Sequence, residues 1–115
     1  MAFSELELKR WERDLDAFLA RRRPPPSIRN ELDVGYRIDK QSIEIVEIRP
    51  DWHDPGTMHE RPFARITYVR SGSYWKLYWM RASLKWHSYE PQATTRHLSE
   101  ALDAIDRDDY CCFFG

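Results

Sequence analysis

Seven aromatic and six basic residues are interleaved along residues 61–87, and this stretch constrains the fold more than any other part of the chain. It contains no acidic residue. The aromatic rings could stack on flat ligands, and the cations between them could neutralise phosphates. The same residues would equally form the core and rim of a small antiparallel sheet. The residues are Arg61, Phe63, Arg65, Tyr68, Arg70, Tyr74, Trp75, Lys76, Tyr78, Trp79, Arg81, Lys85 and Trp86.

Residues 63–80 predict a β-hairpin whose register follows from its turn. If Ser71 and Gly72 form a two-residue turn, one side of the hairpin is apolar, and we predict that this side is the core. Its pairs are Tyr68 with Trp75, Ile66 with Leu77, and Ala64 with Trp79. The opposite side is amphipathic, and its pairs are Val69 with Tyr74, Thr67 with Lys76, Arg65 with Tyr78, and Phe63 with Met80.

A further reversal at Ala82 and Ser83 predicts one more strand. This turn would place Trp86 opposite Trp79 on the core side. Because side chains alternate along a strand, an error of one residue in this register would exchange the two faces. On the amphipathic side, the new strand would add Lys85, His87 and Tyr89 to Met80, Tyr78 and Lys76.

The amphipathic side of the predicted sheet is the candidate binding face. We expect a small non-catalytic binding or adaptor protein that contacts its partner there. The partner would be single-stranded nucleic acid, through base stacking and phosphate contacts, or another protein. The sequence leaves open whether the protein is a monomer or a homodimer. The predicted ligand-binding residues are Arg65, Lys76, Tyr78, Lys85, His87 and Tyr89.

The N-terminal region predicts an amphipathic helix over residues 5–23. Ser4 and Glu7 have the spacing of a capping box, and Phe3 and Leu8 occupy the positions of a hydrophobic staple. Three consecutive prolines at 24–26 cannot continue a helix, so they predict a stiff extended linker. The apolar stripe of the helix consists of Leu8, Trp11, Leu15, Phe18 and Leu19.

The remaining segments complete a single α+β domain over residues 1–115. We predict a four- to five-stranded antiparallel sheet of hairpins over residues 34–91, beginning with a hairpin that turns near Lys40 and Gln41. A second helix is predicted over residues 98–106, followed by an apolar tail at 110–115 that packs back onto the domain. Two helices on one face of the sheet is the economical architecture.

Charge is distributed unevenly along the chain. The net charge is only −1, which argues against a polyanion-binding protein whose whole surface is basic. Residues 31–60 contain eight acidic and three basic residues, a net −5, whereas residues 61–87 carry +6. The molecule should therefore be electrically polarised, although acidic residues elsewhere in the fold would also neutralise the basic stretch.

The cysteine content and hydropathy predict a cytoplasmic protein. The two cysteines, Cys111 and Cys112, are adjacent, so they are too close for an ordinary disulfide and too few for a metal framework. We expect both to be reduced, buried and structural. No signal peptide is recognised, and no apolar run approaches the roughly 20 residues of a membrane-spanning helix.

Motifs for catalysis are weak. Asp51, His53, Asp54 and His59 lie close together in a loop and would suit a divalent cation, but their spacing matches no established site and such loops usually cap their own backbone. No P-loop, G-x-S-x-G or glycine-rich cofactor motif occurs, so we expect no cofactor. The alternative function is a small enzyme or metal-binding protein that works through the His53 loop or His87.

The tryptophan-rich segments also carry a family resemblance. Residues 49–52, 62–64, 75–82 and 84–91, together with the terminal 112–115, resemble a bacterial family catalogued as domain of unknown function 3024. The resemblance extends from the Ser4 helix to the last glycine. It implies that the tail belongs to the domain, but it brings no reaction, cofactor or catalytic residue. His97 stands where the family pattern favours threonine, which predicts a poorer N-cap for the second helix.

Overall fold

The structure is a computed structural model that describes residues 2–114, so Met1 and Gly115 of the predicted domain lie outside it. The described chain forms an α+β fold, as predicted, with two helices and an antiparallel sheet. Its elements are α1 (Glu5–Arg22), β1 (Asp33–Asp39), β2 (Ser42–Pro50), β3 (Met58–Val69), β4 (Tyr74–Met80), β5 (Trp86–Ser88), β6 (Thr94–Thr95) and α2 (Leu98–Arg107). No described helix is both long and apolar enough to cross a membrane.

Consecutive strands pair along the sheet in the order β1-β2-β3-β4-β5, and every pairing is antiparallel. The short strand β6, which the sequence does not predict, pairs with β4 at Trp75 and Lys76, along the same edge as β5. A single 3-10 turn at Glu90–Gln92 separates β5 from β6. Pro91 within this turn has no N–H to donate to a ladder, which explains why the edge strand is divided.

Helix α1 begins with the predicted capping box. The hydroxyl of Ser4 accepts the backbone N–H of Glu7 at 3.2 Å, and the Glu7 carboxylate accepts the backbone N–H of Ser4 at 2.9 Å. The predicted staple partner Leu8 is exposed, whereas the ring of Phe3 packs on Trp11 at 5.1 Å between centroids. The helix ends at Arg22, one residue before the predicted limit. A 3-10 turn at Pro26–Ile28 begins at the third proline, so Pro26 is not part of an extended linker as predicted.

Both helices pack on the same face of the sheet, as predicted, and we call this the covered face. Alternate residues of the strands meet apolar residues of the helices there, so one contiguous core forms. The largest fully buried side chains include Trp75, Phe18, Ile43, Ile45, Ile66, Leu77, Leu98, Leu102 and Ile105.

Three consecutive arginines at the end of α1 connect it to the rest of the domain. Arg21 and Arg22 both donate to the carboxylate of Asp106 in α2, at 3.0 and 2.6 Å. Arg23 forms two hydrogen bonds of 2.8 Å with Asp33 at the start of β1. These cations therefore hold elements together instead of forming a free basic patch.

Phe113 and Phe114 of the C-terminal tail pack onto the domain, whereas Tyr110 and Cys111 at the start of the predicted tail are exposed. Asp108, in a left-handed conformation after α2, accepts the backbone N–H groups of Phe113 and Phe114 at 2.9 and 2.8 Å. Phe113 is buried against Tyr89, and the Phe114 ring contacts Phe63 at 5.1 Å between centroids. The turn formed by Asp108 therefore directs both phenylalanines towards the sheet.

The predicted register of the β3–β4 hairpin is confirmed. Tyr68 pairs with Trp75, Ile66 with Leu77, and Ala64 with Trp79. Phe63, however, does not pair with Met80. A β-bulge lies at this point, because Ile45 of β2 pairs with Ala64 while its neighbour Val46 pairs with Pro62.

The predicted register of the β4–β5 hairpin is wrong by one residue. Met80 pairs with Trp86, and Trp79 pairs with His87. The connecting turn has three residues instead of two: the Leu84 N–H donates to the Arg81 carbonyl at 2.8 Å, and Leu84 adopts a left-handed φ of 62°. A three-residue loop of this kind shifts the returning strand by one position and so exchanges its two faces.

Candidate binding face

The side of the sheet opposite the helices carries two rows of polar residues that run across all the strands, and we call it the open face. It is polar because the alternate residues of each strand point away from the core. One row consists of Arg37, Glu44, Arg65, Tyr78 and Ser88. The other row consists of Asp39, Ser42, Thr67, Lys76 and Thr94.

Ion pairs neutralise most of the charge on the open face. The buried carboxylate of Glu44 accepts from Arg37 Nε at 2.7 Å and from Arg65 Nη1. Arg65 also lies 3.6 Å from Asp39. Within residues 2–114, Lys76 forms no ion pair, and its side chain is exposed. Among the described residues, the face is therefore close to neutral, with the unpaired Lys76 beside the fixed arginines.

A shallow hollow lies near the centre of the open face. Its volume is about 260 Å³, and it is lined by Ser42, Arg65, Thr67, Tyr78 and Trp86. The hydroxyls of Ser42 and Thr67 are 2.8 Å apart and hydrogen-bond to each other. Tyr78 and Trp86 are both half-buried, so each ring presents part of its surface to solvent. The hollow combines aromatic surface with fixed hydrogen-bonding groups.

Only three of the six predicted site residues lie on the open face. Arg65, Lys76 and Tyr78 occupy it as predicted. Because the β4–β5 register shifts by one residue, His87 lies opposite Trp79 on the side of the covered face. Lys85 lies opposite Arg81, whose N–H donates to the Lys85 carbonyl at 3.3 Å, so its side chain alternates to the same side as His87.

Tyr89 belongs to the core and not to the predicted binding face. It is only 3% exposed, its backbone N–H donates to the Leu77 carbonyl at 2.9 Å, and its ring contacts Phe113. Burial raises the pKa of its hydroxyl, and nearby Cys112 and acidic residues add to the effect. Tyr89 therefore cannot stack on a ligand at the open face.

Trp86 lies on the open face, where the sequence analysis places its neighbours Lys85 and His87. The local sequence 81–85 contains no glycine or asparagine for the left-handed position of the turn, and Leu84 adopts that conformation instead. A three-residue loop is normally signalled by glycine at this position, so the usual signal for the correct register is missing.

The His53 loop uses its acidic groups to stabilise its own backbone. Asp51 accepts the backbone N–H groups of His53 and Asp54 at 3.0 and 2.9 Å, and its other oxygen lies 2.9 Å from His59 Nε2. These contacts, with His59 the largest, lower the pKa of Asp51. The ring of Trp52, which is 82% exposed, lies on His53. In the described chain, no group of three or more acidic, histidine or cysteine residues is arranged to hold a metal ion.

The two cysteines differ in their surroundings. Both are free thiols, but Cys111 is exposed and Cys112 is half-buried, so the expectation that both are buried is wrong. A left-handed φ of 57° at Cys111 turns the chain between them. Cys112 lines a cleft of about 380 Å³ near Phe63 and Arg81, and burial raises the pKa of its thiol.

Comparison with known proteins gives a family but no function. No curated protein matches the chain, and no solved structure matches it. The model of one family matches residues 3–115, a range that includes every described helix and strand. The match includes the strands that form the open face. The chain therefore belongs to the family described as Domain of unknown function (DUF3024).

Proposed function

We propose that this protein is a small non-catalytic binding or adaptor protein and that the open face of its sheet binds a protein partner. The observation that carries the proposal is the combination of Tyr78, Trp86 and Arg65 around one hollow, on the sheet face opposite both described helices. Tryptophan, tyrosine and arginine are the residues that contribute most at protein interfaces.

The electrostatics of the face support a protein partner more than a polyanion. Glu44 holds both Arg37 and Arg65, so neither guanidinium is free to neutralise a phosphate. An arginine fixed by a neighbouring carboxylate is pre-organised, and it loses less side-chain entropy when a partner covers it. Lys85 and His87, which would have made the face more basic, point to the other side.

A test is affinity capture from a bacterial lysate with wild-type protein and two tryptophan variants. We expect the wild type to capture a protein that Trp86→Ala loses and that Trp52→Ala retains. Trp52 is the matched control because it is the more exposed tryptophan and lies in the β2–β3 loop, away from the hollow. With the captured partner purified, Trp86→Ala should weaken binding by about 2 kcal/mol or more.

Treatment of the lysate with nuclease distinguishes the partner classes. Capture that survives nuclease and high salt supports the proposal. Equal loss in Trp86→Ala and Trp52→Ala, or equal capture by both, would exclude the open face as the binding surface. Capture that nuclease abolishes would exclude a direct protein partner.

Single-stranded nucleic acid is a second candidate partner, favoured by the exposed Lys76 beside the hollow. One base would stack on Tyr78 or Trp86, and such stacking contributes about 1 to 3 kcal/mol. If the unpaired Lys76 neutralises one phosphate, the magnitude of the logarithmic salt slope should be only about 0.7. Fluorescence anisotropy with oligonucleotides of about twelve residues tests this. Lys76→Ala should flatten the slope, whereas Lys85→Ala on the other side should not.

We also propose that the protein acts in the bacterial cytoplasm. Two free thiols on adjacent residues, one of them exposed, suit a reducing compartment. Fractionation of cells that express a tagged chain, followed by immunoblotting, would test the location. Recovery of the protein with periplasmic or membrane fractions would contradict it.

A further inference from the structure

The two edges of the sheet differ in length and regularity. At one edge, β5 and β6 contain only three and two residues, and the turn that contains Pro91 separates them. At the other edge, β1 runs for seven residues without a proline or a bulge, and within residues 2–114 it pairs only with β2. A long, regular edge strand is a template for pairing with another chain.

Alternate residues of β1 direct their backbone groups towards the free edge. Asp39 pairs with Ser42 across the two-residue turn of the β1–β2 hairpin, so the N–H and carbonyl groups of Asp39 bond to β2. Because the direction alternates along an antiparallel strand, the groups that point away from β2 belong to Val34, Tyr36 and Ile38.

The first half of this edge is closed by contacts within the chain. The Asp33 carboxylate accepts the Val34 backbone N–H at 2.8 Å, and two hydrogen bonds of 2.8 Å from Arg23 hold that carboxylate in place. The part of β1 that is open to pairing is therefore its second half, around Ile38.

Apolar side chains are exposed beside this second half. Ile38 is 38% exposed, and Leu8 of α1, which does not form the predicted staple, is 37% exposed. Both line a groove of about 250 Å³ between α1 and β1, together with Trp11, Leu15, Tyr36 and Ile43. An apolar groove beside an open edge strand suits a partner that adds a strand and covers the groove with its side chains.

The charges along the strand favour a second copy of the chain as that partner. In an antiparallel pairing centred on Ile38, Arg37 of each copy would lie opposite Asp39 of the other, and both residues are exposed. The guanidinium of Arg37 is already oriented by Glu44. The neighbouring registers would place Arg37 opposite Arg37, or Asp33 opposite Asp39, and like charges directly opposite each other are destabilising.

We propose that the protein forms a two-fold symmetric dimer through the second half of β1. The Ile38 N–H of each copy donates to the Ile38 carbonyl of the other, so the two sheets join into one. Ile38 and Leu8 of both copies are covered near the axis, and Arg37 and Asp39 form two ion pairs across it. Because the pairing spans only residues 36–40, the dimer is reversible and depends on protein concentration. It does not depend on the binding function proposed for the open face.

Sedimentation velocity over a range of protein concentrations tests the dimer. We expect the wild type to shift from monomer to dimer as the concentration rises. Ile38→Asp should raise the dissociation constant about tenfold or more, because it places two carboxylates at the axis. Leu84→Asp is the matched control, since it changes an exposed apolar residue at the opposite edge and should leave the constant unchanged. A wild type that is monomeric at every concentration, or equal weakening by both variants, would overturn the proposal.

The register has its own test, with circular dichroism to check that each variant is folded. Asp39→Lys should weaken the dimer about tenfold at low salt and less at high salt, because it faces Arg37 and salt screens the repulsion. With both native cysteines replaced by serine, oxidised glutathione should cross-link two copies of Ile38→Cys through a disulfide. Gly35→Cys, in the closed half of the strand, should not cross-link. Equal cross-linking of the two variants, or a salt-independent effect of Asp39→Lys, would contradict this pairing.

Discussion

The two faces of the sheet are built from alternate residues of the same strands, yet they are stabilised in different ways. On the covered face, Trp75 and Leu77 are buried among apolar residues of both helices. On the open face, their neighbours Lys76 and Tyr78 stay partly in water. The covered face is stabilised by the burial of apolar side chains, whereas polar side chains of the open face form hydrogen bonds and ion pairs with one another.

The cations of residues 61–87 differ in whether they meet a carboxylate. Arg65 and Arg70 are bound to carboxylates from other parts of the chain, Glu44 and Glu7. Within the described chain, Lys76 is exposed and forms no ion pair. A run of cations in sequence therefore does not define a basic surface, because only the fold decides which of them meet a carboxylate.

The largest difference between the faces should appear when a tryptophan is removed from each. Trp75→Ala should reduce the free energy of unfolding by about 3 to 5 kcal/mol, because it leaves a cavity in the core. Trp86→Ala should cost about 1 kcal/mol, since its ring is only half-buried. Urea denaturation measures both. Equal losses in the two variants would contradict the observed β4–β5 register.

A smaller effect should follow when the charge of Glu44 is removed. Glu44→Gln removes the nearest carboxylate from the partly buried Arg65, so we expect the free energy of unfolding to fall by about 2 kcal/mol. This loss is smaller than for a fully buried pair because Arg37 and Arg65 are partly exposed. Denaturant unfolding checks this value. The variant also frees Arg65, and any nucleic-acid binding should become more dependent on salt.

Glu47→Gln is the matched control for Glu44→Gln. Glu47 lies on the same strand and pairs with the exposed Arg49, so its loss should cost about 0.5 kcal/mol or less. If both variants lose the same stability, Glu44 does not connect the strands of the open face in the way the structure indicates.

The smallest effect concerns the pH dependence of the contact between Glu7 in α1 and Arg70 in the turn after β3. Hydrogen bonds from Arg70 and from the Ser4 backbone lower the pKa of Glu7 to about 2 from an ordinary value of 4.5. Because the folded-state pKa is lowered, this contact stabilises the fold above about pH 4.5, and the contribution is lost as the pH falls towards 2. Carboxyl NMR titration should show that Arg70→Gln raises the pKa of Glu7. Lys9→Gln, on the same helix, should leave it unchanged.

The elements with strong local signals agree with their predictions. The Ser4 and Glu7 capping box forms, and α2 covers the predicted range with one added residue. The β3–β4 register is correct because turn and apolar pattern agree there. The β4–β5 register fails because its turn contains a left-handed leucine, which local rules do not anticipate.

The sequence by itself determined the local elements and the α+β class, since capping residues, prolines and period-two alternation act over a few neighbouring positions. It also predicted the pairing of β3 with β4, which places Arg65, Lys76 and Tyr78 on the open face. Only the tertiary structure decided that Trp86 is on the open face and Tyr89 is in the core, because a one-residue difference in a turn exchanges the faces. It also decided that Glu44 neutralises Arg65, because that contact joins residues far apart in the chain and depends on the strand pairing that folding creates.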